Sequence, residues 1–142
     1  MEMTYSSDSV HALSFFCPMI PPTATGQMHK VQVLPNSKVH FYDPPEVAQA
    51  RAKLLAAVCR HMPSAPFTGP VSLLVKWCFP VTAPHHDGEW KTTKPDTDNL
   101  QKILKDVMSK SGFWVDDALV CREIVEKFWA DVPGIYIRVE AL

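Results

Sequence analysis

The chain has 142 residues, of which 46% are apolar and 20% charged, with 14 basic side chains against 15 acidic ones. This composition is typical of one folded domain, and the formal net charge of -1 argues against a protein that coats nucleic acid by bulk electrostatics. No stretch approaches the roughly 18 apolar residues of a membrane helix, and the first residues lack a signal peptide, so we expect a cytoplasmic protein without a membrane partner.

Thirteen prolines divide the first half of the chain into short elements. Residues 11–17 predict a first strand, and residues 30–34 and 38–42 predict a hairpin. A helix follows, with Asp43 as its capping residue, and Pro63 ends it. Its apolar stripe consists of Val47, Ala50, Leu54, Val58 and His61. Residues 1–9 are expected to be disordered.

The second half alternates clearer strand and helix patterns. Residues 71–79 alternate apolar and polar side chains as a strand does, and residues 81–94 predict a mobile loop. From Leu100, apolar residues recur with helical spacing until Ser111 and Gly112 supply a stop. Two strands over residues 119–129 and 135–139 complete an α+β fold, a single domain with a mixed sheet and two main helices on one face. The four cysteines are expected to be reduced and mostly buried.

Acidic residues with the character of metal ligands surround the second predicted helix. Asp96 and Asp98 lie at its start, where unpaired amides and the helix dipole favour anions. If Asp117 folds back beside that start, three carboxylates converge near Lys102, and such oxygens suit Mg²⁺. The same residues also have structural explanations. An Asp at a helix start usually caps it, Asp116 and Asp117 could form a turn, and Lys102 could pair with Asp98 one turn away.

Basic residues concentrate in the same region, with five Lys against three Asp between Lys91 and Lys110. Any polyanion would bind here, and the candidate DNA contacts are Trp90, Lys91, Lys94 and Lys105. Lys105 is expected to lie with Asp98, Lys102 and Asp106 on the helix side opposite the apolar stripe. Trp90 could stack on a base or hold the loop against the core. His85 and His86 are more typical of a solvated loop than of a metal site.

The runs KPDTDNL at residues 94–100 and GFWVDD at residues 112–117 resemble the RusA family of Holliday junction resolvases, small endodeoxyribonucleases of bacteria and their prophages. The resemblance implies a homodimeric, Mg²⁺-dependent enzyme that nicks four-way DNA junctions in two strands. It assigns Asp96, Asp98 and Asp117 as metal ligands and Lys102 as a residue needed for cleavage. Asp116 is then a support for the metal ligands or a turn former.

A structural α/β protein with no nucleic-acid role is one alternative, which the net charge of -1 supports. Two DNA-related alternatives also remain open from the sequence. One is a nuclease for other branched or flapped DNA, which would use the same carboxylates. The other is a module that binds branched DNA without cutting it, in which the acids cap helices and the lysines contact phosphates.

Overall fold

The elements follow one another in the predicted order. The structure, a computed structural model, describes residues 11–25, 30–33, 35–36, 39–42 and 44–142. Expectations for residues 1–9 and for Asp43 as a cap lie outside this part of the chain. The elements are β1 Ala12–Pro18, β2 Lys30–Val33, β3 Val39–Tyr42, α1 Pro45–Val58, β4 Val71–Pro80, α2 Thr97–Ser111, β5 Val120–Ala130 and β6 Gly134–Ala141, with single 3₁₀ turns at Cys59–His61 and Asp117–Leu119.

A mixed four-stranded sheet forms the framework, in the order β1-β6-β4-β5. Strand β4 runs antiparallel to β6 and parallel to β5, whereas β2 and β3 form the predicted hairpin by themselves. Along β4 the predicted alternation is fully present. The side chains on its inner face are buried: Val71, Leu73, Val75, Trp77 and Phe79. An α+β domain with a mixed sheet is therefore confirmed.

Both helices contribute their apolar stripes to the same core as this inner face of the sheet. In α1 four of the five predicted stripe residues are buried, Val47, Ala50, Leu54 and Val58. The fifth, His61, lies beyond the helix in the 3₁₀ turn, where it is half-buried and stacks on Phe15. In α2 the stripe from Leu100 to Met108 is likewise buried, and Gly112 ends the helix with φ at 90°, a conformation that favours glycine. Each fully buried aliphatic side chain stabilises the fold by about 1.5–3 kcal/mol.

At the periphery of the fold, two of the four cysteines differ from expectation. The cysteines are free, but Cys59 and Cys121 are exposed, because one follows the last turn of α1 and the other lies at the start of an edge strand. The expectation of mostly buried thiols is therefore wrong for these two. In the part of the chain that the structure describes, no helix has the length and apolar character needed to cross a membrane.

Candidate active site

The segment before α2 is held in place by Lys127 of β5. Its Nζ donates to the carbonyl oxygens of Thr93, at 2.7 Å, and of Pro95, at 2.8 Å. Burial lowers the pKa of Lys127, while the nearby negative charge of Asp96 acts in the opposite direction. Sequence reasoning missed this residue. The available signal was a Lys on the inner face of a strand, between the apolar neighbours Val125 and Trp129.

Lys91 fixes the same segment from inside, which corrects its assignment as a DNA contact. Its side chain is only 8% exposed, and its Nζ lies over the rings of Phe79 and Trp129. The ammonium donates to the carbonyl oxygen of Lys94 at 2.7 Å, and burial lowers its pKa. Because its charge is already enclosed by the protein, Lys91 supports the loop and does not face a ligand.

The two carboxylates at the start of α2 are not used as helix caps. Asp96 occupies the N-cap position, yet its side chain makes no capping hydrogen bond. It accepts instead from Lys94 Nζ at 2.8 Å, in a pair that is largely exposed. Asp98 is exposed on the first turn, and Lys102 is exposed one turn later, without the predicted pairing between them. Both structural explanations for these residues, capping and pairing, are therefore wrong.

The other predicted charges of α2 are occupied by neighbouring elements. Lys105 lies against β5, where its Nζ is 3.1 Å from Glu123 Oε1, and Asp106 faces α1, 3.4 Å from Arg51. They lie at the two edges of the helix side that carries Asp98 and Lys102, opposite the buried stripe, so the predicted clustering of the four charges on one side is confirmed. Of these four charged residues, Asp98 and Lys102 are the two that are exposed and have no ion-pair partner among the described residues.

A buried network aligns α2 on the sheet. Trp77 Nε1 of β4 donates to Gln101 Oε1 at 2.7 Å, and Gln101 Nε2 donates to Glu123 Oε2 at 2.6 Å. Trp77 is fully buried, and Gln101 is 3% exposed. A polar side chain within the apolar stripe gave the only sequence signal for this network. Because each polar atom has a partner, the network fixes the position of α2 and of the carboxylates at its start.

Asp117 lies toward the opposite end of α2 in the same chain. The helix runs antiparallel to β5, since Pro95 contacts Lys127 while Lys105 contacts Glu123. Near the end of the helix, Trp114 Nε1 donates to Ser109 Oγ. The helical rise between Asp96 and Ser109 is about 20 Å, so Asp117 is separated from Asp96 by a distance of that order. Within one chain Asp117 does not fold back beside the start of α2.

The turn that carries Asp117 is formed by its neighbour. Asp116 caps it by accepting from the backbone N–H of Ala118 at 2.9 Å, which agrees with the turn-forming alternative for Asp116. The side chain of Asp117 is exposed and makes no hydrogen bond or ion pair with the described residues. Asp116 therefore orders the backbone and leaves the Asp117 carboxylate facing solvent.

The loop over residues 81–94 is attached to the edge of β5. Backbone hydrogen bonds join Lys91 to Lys127, and Trp129 to both Gly88 and Glu89. Its predicted mobility stays a prediction. Trp90 stacks on Phe128 with ring centroids 4.6 Å apart, but it remains 62% exposed. The ring is thus held against the protein, as one interpretation expected, and its stacking on a base stays a prediction that the exposed surface allows.

His85 takes part in this attachment of the loop. Its ring stacks on Trp129, with centroids 4.5 Å apart, and its Nδ1 lies 3.1 Å from Glu89 Oε2. The backbone N–H of His86 donates to the same carboxylate oxygen. His85 is therefore a packing residue of the loop.

The carboxylates present fit a hard divalent cation in type but not in number within one chain. Asp96 and Asp98 offer oxygen donors two residues apart, and neither is enclosed by a buried ion pair. Among the described residues, no three His, Cys, Asp or Glu side chains come together as metal ligands. A third carboxylate would have to come from outside this local group.

Comparison with known proteins gives two kinds of match. The sequence matches the family model described as endodeoxyribonuclease RusA over residues 19–140. An uncharacterized protein, YqaN of Bacillus subtilis (strain 168), is 30% identical over 115 residues, which cover 73% of this chain and 80% of that protein. The crossover junction endodeoxyribonuclease rusA of Lactococcus phage r1t is 30% identical over 87 residues, which cover 60% of this chain and 65% of that protein.

Proposed function

Because this chain belongs to the RusA endodeoxyribonuclease family, we propose that it is a Mg²⁺-dependent enzyme that resolves four-way DNA junctions by paired, symmetric hydrolysis of two strands. The chain's similarity to a phage crossover junction endodeoxyribonuclease supports the junction as its substrate. One structural observation carries the proposal: Asp96 occupies the N-cap position of α2 without capping it. Its carboxylate is partly exposed and pairs with Lys94, and the exposed Asp98 follows two residues later. We place the reaction in the cytoplasm, in DNA recombination and repair.

The proposed metal ligands are Asp96, Asp98 and Asp117. When bound, Mg²⁺ supplies Lewis-acid activation of a water molecule and neutralises charge on the scissile phosphate. The protein's part is to hold the ligands. Lys127 and the buried Lys91 fix the segment that leads into Asp96, and Asp116 orders the turn before Asp117.

The third ligand is supplied by a second copy of the chain in a homodimer. Asp117 and Asp96 lie about 20 Å apart in one chain, which is too far for one ion to bind both. A twofold dimer solves this problem if Asp117 of each copy approaches Asp96 and Asp98 of the other. It would also provide two equivalent sites for the two strands of a near-twofold junction.

Lys102 is proposed to stabilise the transition state. Its ammonium is exposed one turn after Asp98 and forms no ion pair within the described residues. It is therefore available to neutralise the charge that develops on the phosphate during in-line attack. Hydrolysis on this pattern leaves a 5′ phosphate. Around the site, Lys94 and the exposed face of Trp90 are the proposed DNA contacts. Both Lys94 and Lys105 are paired with a carboxylate, but the Lys94 side chain is 82% exposed and that of Lys105 only 25%.

The test compares an immobile four-way junction with a flapped duplex and a linear duplex of the same sequence, each with Mg²⁺ and with EDTA. We expect paired nicks in the junction, which are lost with EDTA and in the Asp96→Asn variant. Glu140→Gln is the matched control, because this carboxylate lies on the opposite face of the sheet and pairs with Arg138. Preferred cleavage of the flap would support the nuclease for other branched DNA. Metal-independent binding without any product would support the binding module.

A further inference from the structure

The outer face of the sheet, away from the two long helices, carries a band of aromatic rings. Because α1 and α2 pack on the face that holds Trp77 and the other buried residues of β4, the alternate residues of each strand point to the outer face. The rings of this band are those of Phe16, Tyr136, Phe128 and Trp90, which stacks on Phe128. The first three residues are half-buried and Trp90 is 62% exposed, so the band is open to solvent.

The pairing of the strands brings these rings together. Phe16 of β1 is the direct partner of Tyr136 on β6. The ring of Phe16 also lies over Gly134, where a side-chain Cβ would overlap its Cζ atom. In the same row across the sheet, Gly134 is followed by Cys78 of β4 and then by Phe128 of β5. Over three strand spacings of about 4.8 Å each, the band therefore spans about 15 Å.

Positive charge lies within the band. Lys76 of β4 is next to Tyr136 in the sheet, and its Nζ lies 5.8 Å from the centre of that ring. Glu126 is the neighbour of Lys76 on the other side, yet Lys76 forms no ion pair with the described residues. The other charged residues of this face are Arg122, Arg138 and Glu140, the last two 3.4 Å apart. Basic side chains thus slightly outnumber acidic ones, and the ammonium of Lys76 lacks a counter-charge in the described part of the chain.

We propose that this outer face binds single-stranded nucleic acid, whose bases stack on the rings while a phosphate approaches Lys76. Every base has a π face, so stacking on aromatic side chains holds a single strand with little sequence preference. Four-stranded sheets with aromatic residues on an open face bind unpaired bases in this way. A duplex does not fit, because its bases are already stacked on one another. A phosphate also supplies the counter-charge that Lys76 needs, which an apolar protein partner would not.

This inference goes beyond the proposed function, since stacking requires neither metal nor cleavage. The band ends at Trp90, directly before Lys91, whose ammonium holds the carbonyl oxygen of Lys94 in the segment that leads to Asp96. If the protein cleaves junctions, an unpaired strand beside the cut would reach the rings at this end of the band. Only this last consequence rests on the proposed function.

Fluorescence anisotropy in EDTA tests binding without cleavage. The probes are a labelled oligothymidylate, an oligouridylate of the same length, which separates DNA from RNA, and a duplex of that length. We expect the wild-type protein to bind a single strand more tightly than the duplex. Tyr136→Leu removes a stacking ring and should raise the dissociation constant for the single strand by about tenfold, whereas Tyr136→Phe keeps the ring and should bind as the wild type does.

The charge within the band is tested by Lys76→Met, with Lys53→Met at an exposed position of α1 as its control. Loss of one phosphate contact should reduce the slope of log affinity against log salt concentration by about 0.7 in Lys76→Met alone. An equal slope in the two variants would contradict the contact. Urea denaturation of each variant checks that the fold is kept.

Photocrosslinking of the wild-type protein locates the strand without any substitution. Single strands that carry 5-iodouracil are irradiated, and the crosslinked residues are identified by mass spectrometry. We expect crosslinks at Phe16, Tyr136 or Trp90. Crosslinks confined to the helix side, no preference for a single strand over the duplex, or equal affinities of Tyr136→Leu and Tyr136→Phe would overturn the proposal.

The failure of this inference and that of the proposed function are distinguishable. A protein that binds single strands on this face but does not nick junctions would disprove the proposed function and keep the surface. A protein that nicks junctions but does not bind single strands would keep the proposed function and disprove the surface.

Discussion

Two inactive variants should restore each other's activity when they are mixed, if each metal site draws carboxylates from two copies. In the mixed dimer of Asp96→Asn with Asp117→Asn, one site loses both carboxylates. The other site keeps Asp96 of one copy and Asp117 of its partner, so it stays intact. An equimolar mixture that exchanges subunits freely is half mixed dimers, which leaves about a quarter of the wild-type number of sites. The separation of about 20 Å within one chain is the basis of this expectation.

The assay is cleavage of a four-way junction by each variant and by the mixture after subunit exchange, read on a denaturing gel. We expect each variant alone to be inactive and the mixture to recover up to about a quarter of the wild-type nicking rate. Each mixed dimer nicks one strand, so paired incision should not return. If both carboxylates acted within one chain, neither site of a mixed dimer would be intact. A mixture as inactive as its components would therefore refute the two-copy site.

Three further substitutions test how α2 and the segment before it are held. Lys127→Met removes a charged donor from two carbonyl oxygens and should lower the free energy of unfolding by about 1–2 kcal/mol. It should also speed amide exchange over residues 93–98. Lys110→Met, a change at an exposed position, is the control. Equal exchange rates in the two variants would contradict the role of Lys127 in holding this segment. Gln101→Leu leaves the buried indole N–H of Trp77 without an acceptor, so urea denaturation should show a loss of about 1–3 kcal/mol; wild-type stability would show that another group satisfies the indole. Leu104→Ala removes a fully buried side chain and should cost about 2–5 kcal/mol in the same assay, whereas a loss below 1 kcal/mol would indicate a poorly packed core.

The elements that the sequence predicted well are those whose pattern follows directly from burial. Alternation along β4 and the helical spacing from Leu100 both reflect a single apolar face, and each is buried as predicted. Gly112 marks a helix end through its own conformational preference. These patterns depend only on residues that are close together in the chain, so they can be recognised from a single sequence.

The candidate site depends on long-range contacts that periodicity does not contain. The pattern placed Asp96 and Asp98 correctly at a helix start, but the direction of β5 relative to α2 decides where Asp117 lies. Similarly, Lys91 looked like a phosphate contact beside Trp90, whereas packing against Phe79 and Trp129 encloses it. Contacts between elements that are distant in the chain determine where Asp117 and Lys91 lie. The sequence shows only what kind of side chain each residue has.

Junction-selective cleavage is tested by mapping incision sites on an immobile four-way junction, with each strand labelled in turn and Mg²⁺ titrated from zero. We predict nicks at symmetric positions in two opposing strands, a requirement for added Mg²⁺, and no incision of the linear duplex. Cleavage that is equal on junction and duplex, or that persists in EDTA, would contradict this prediction.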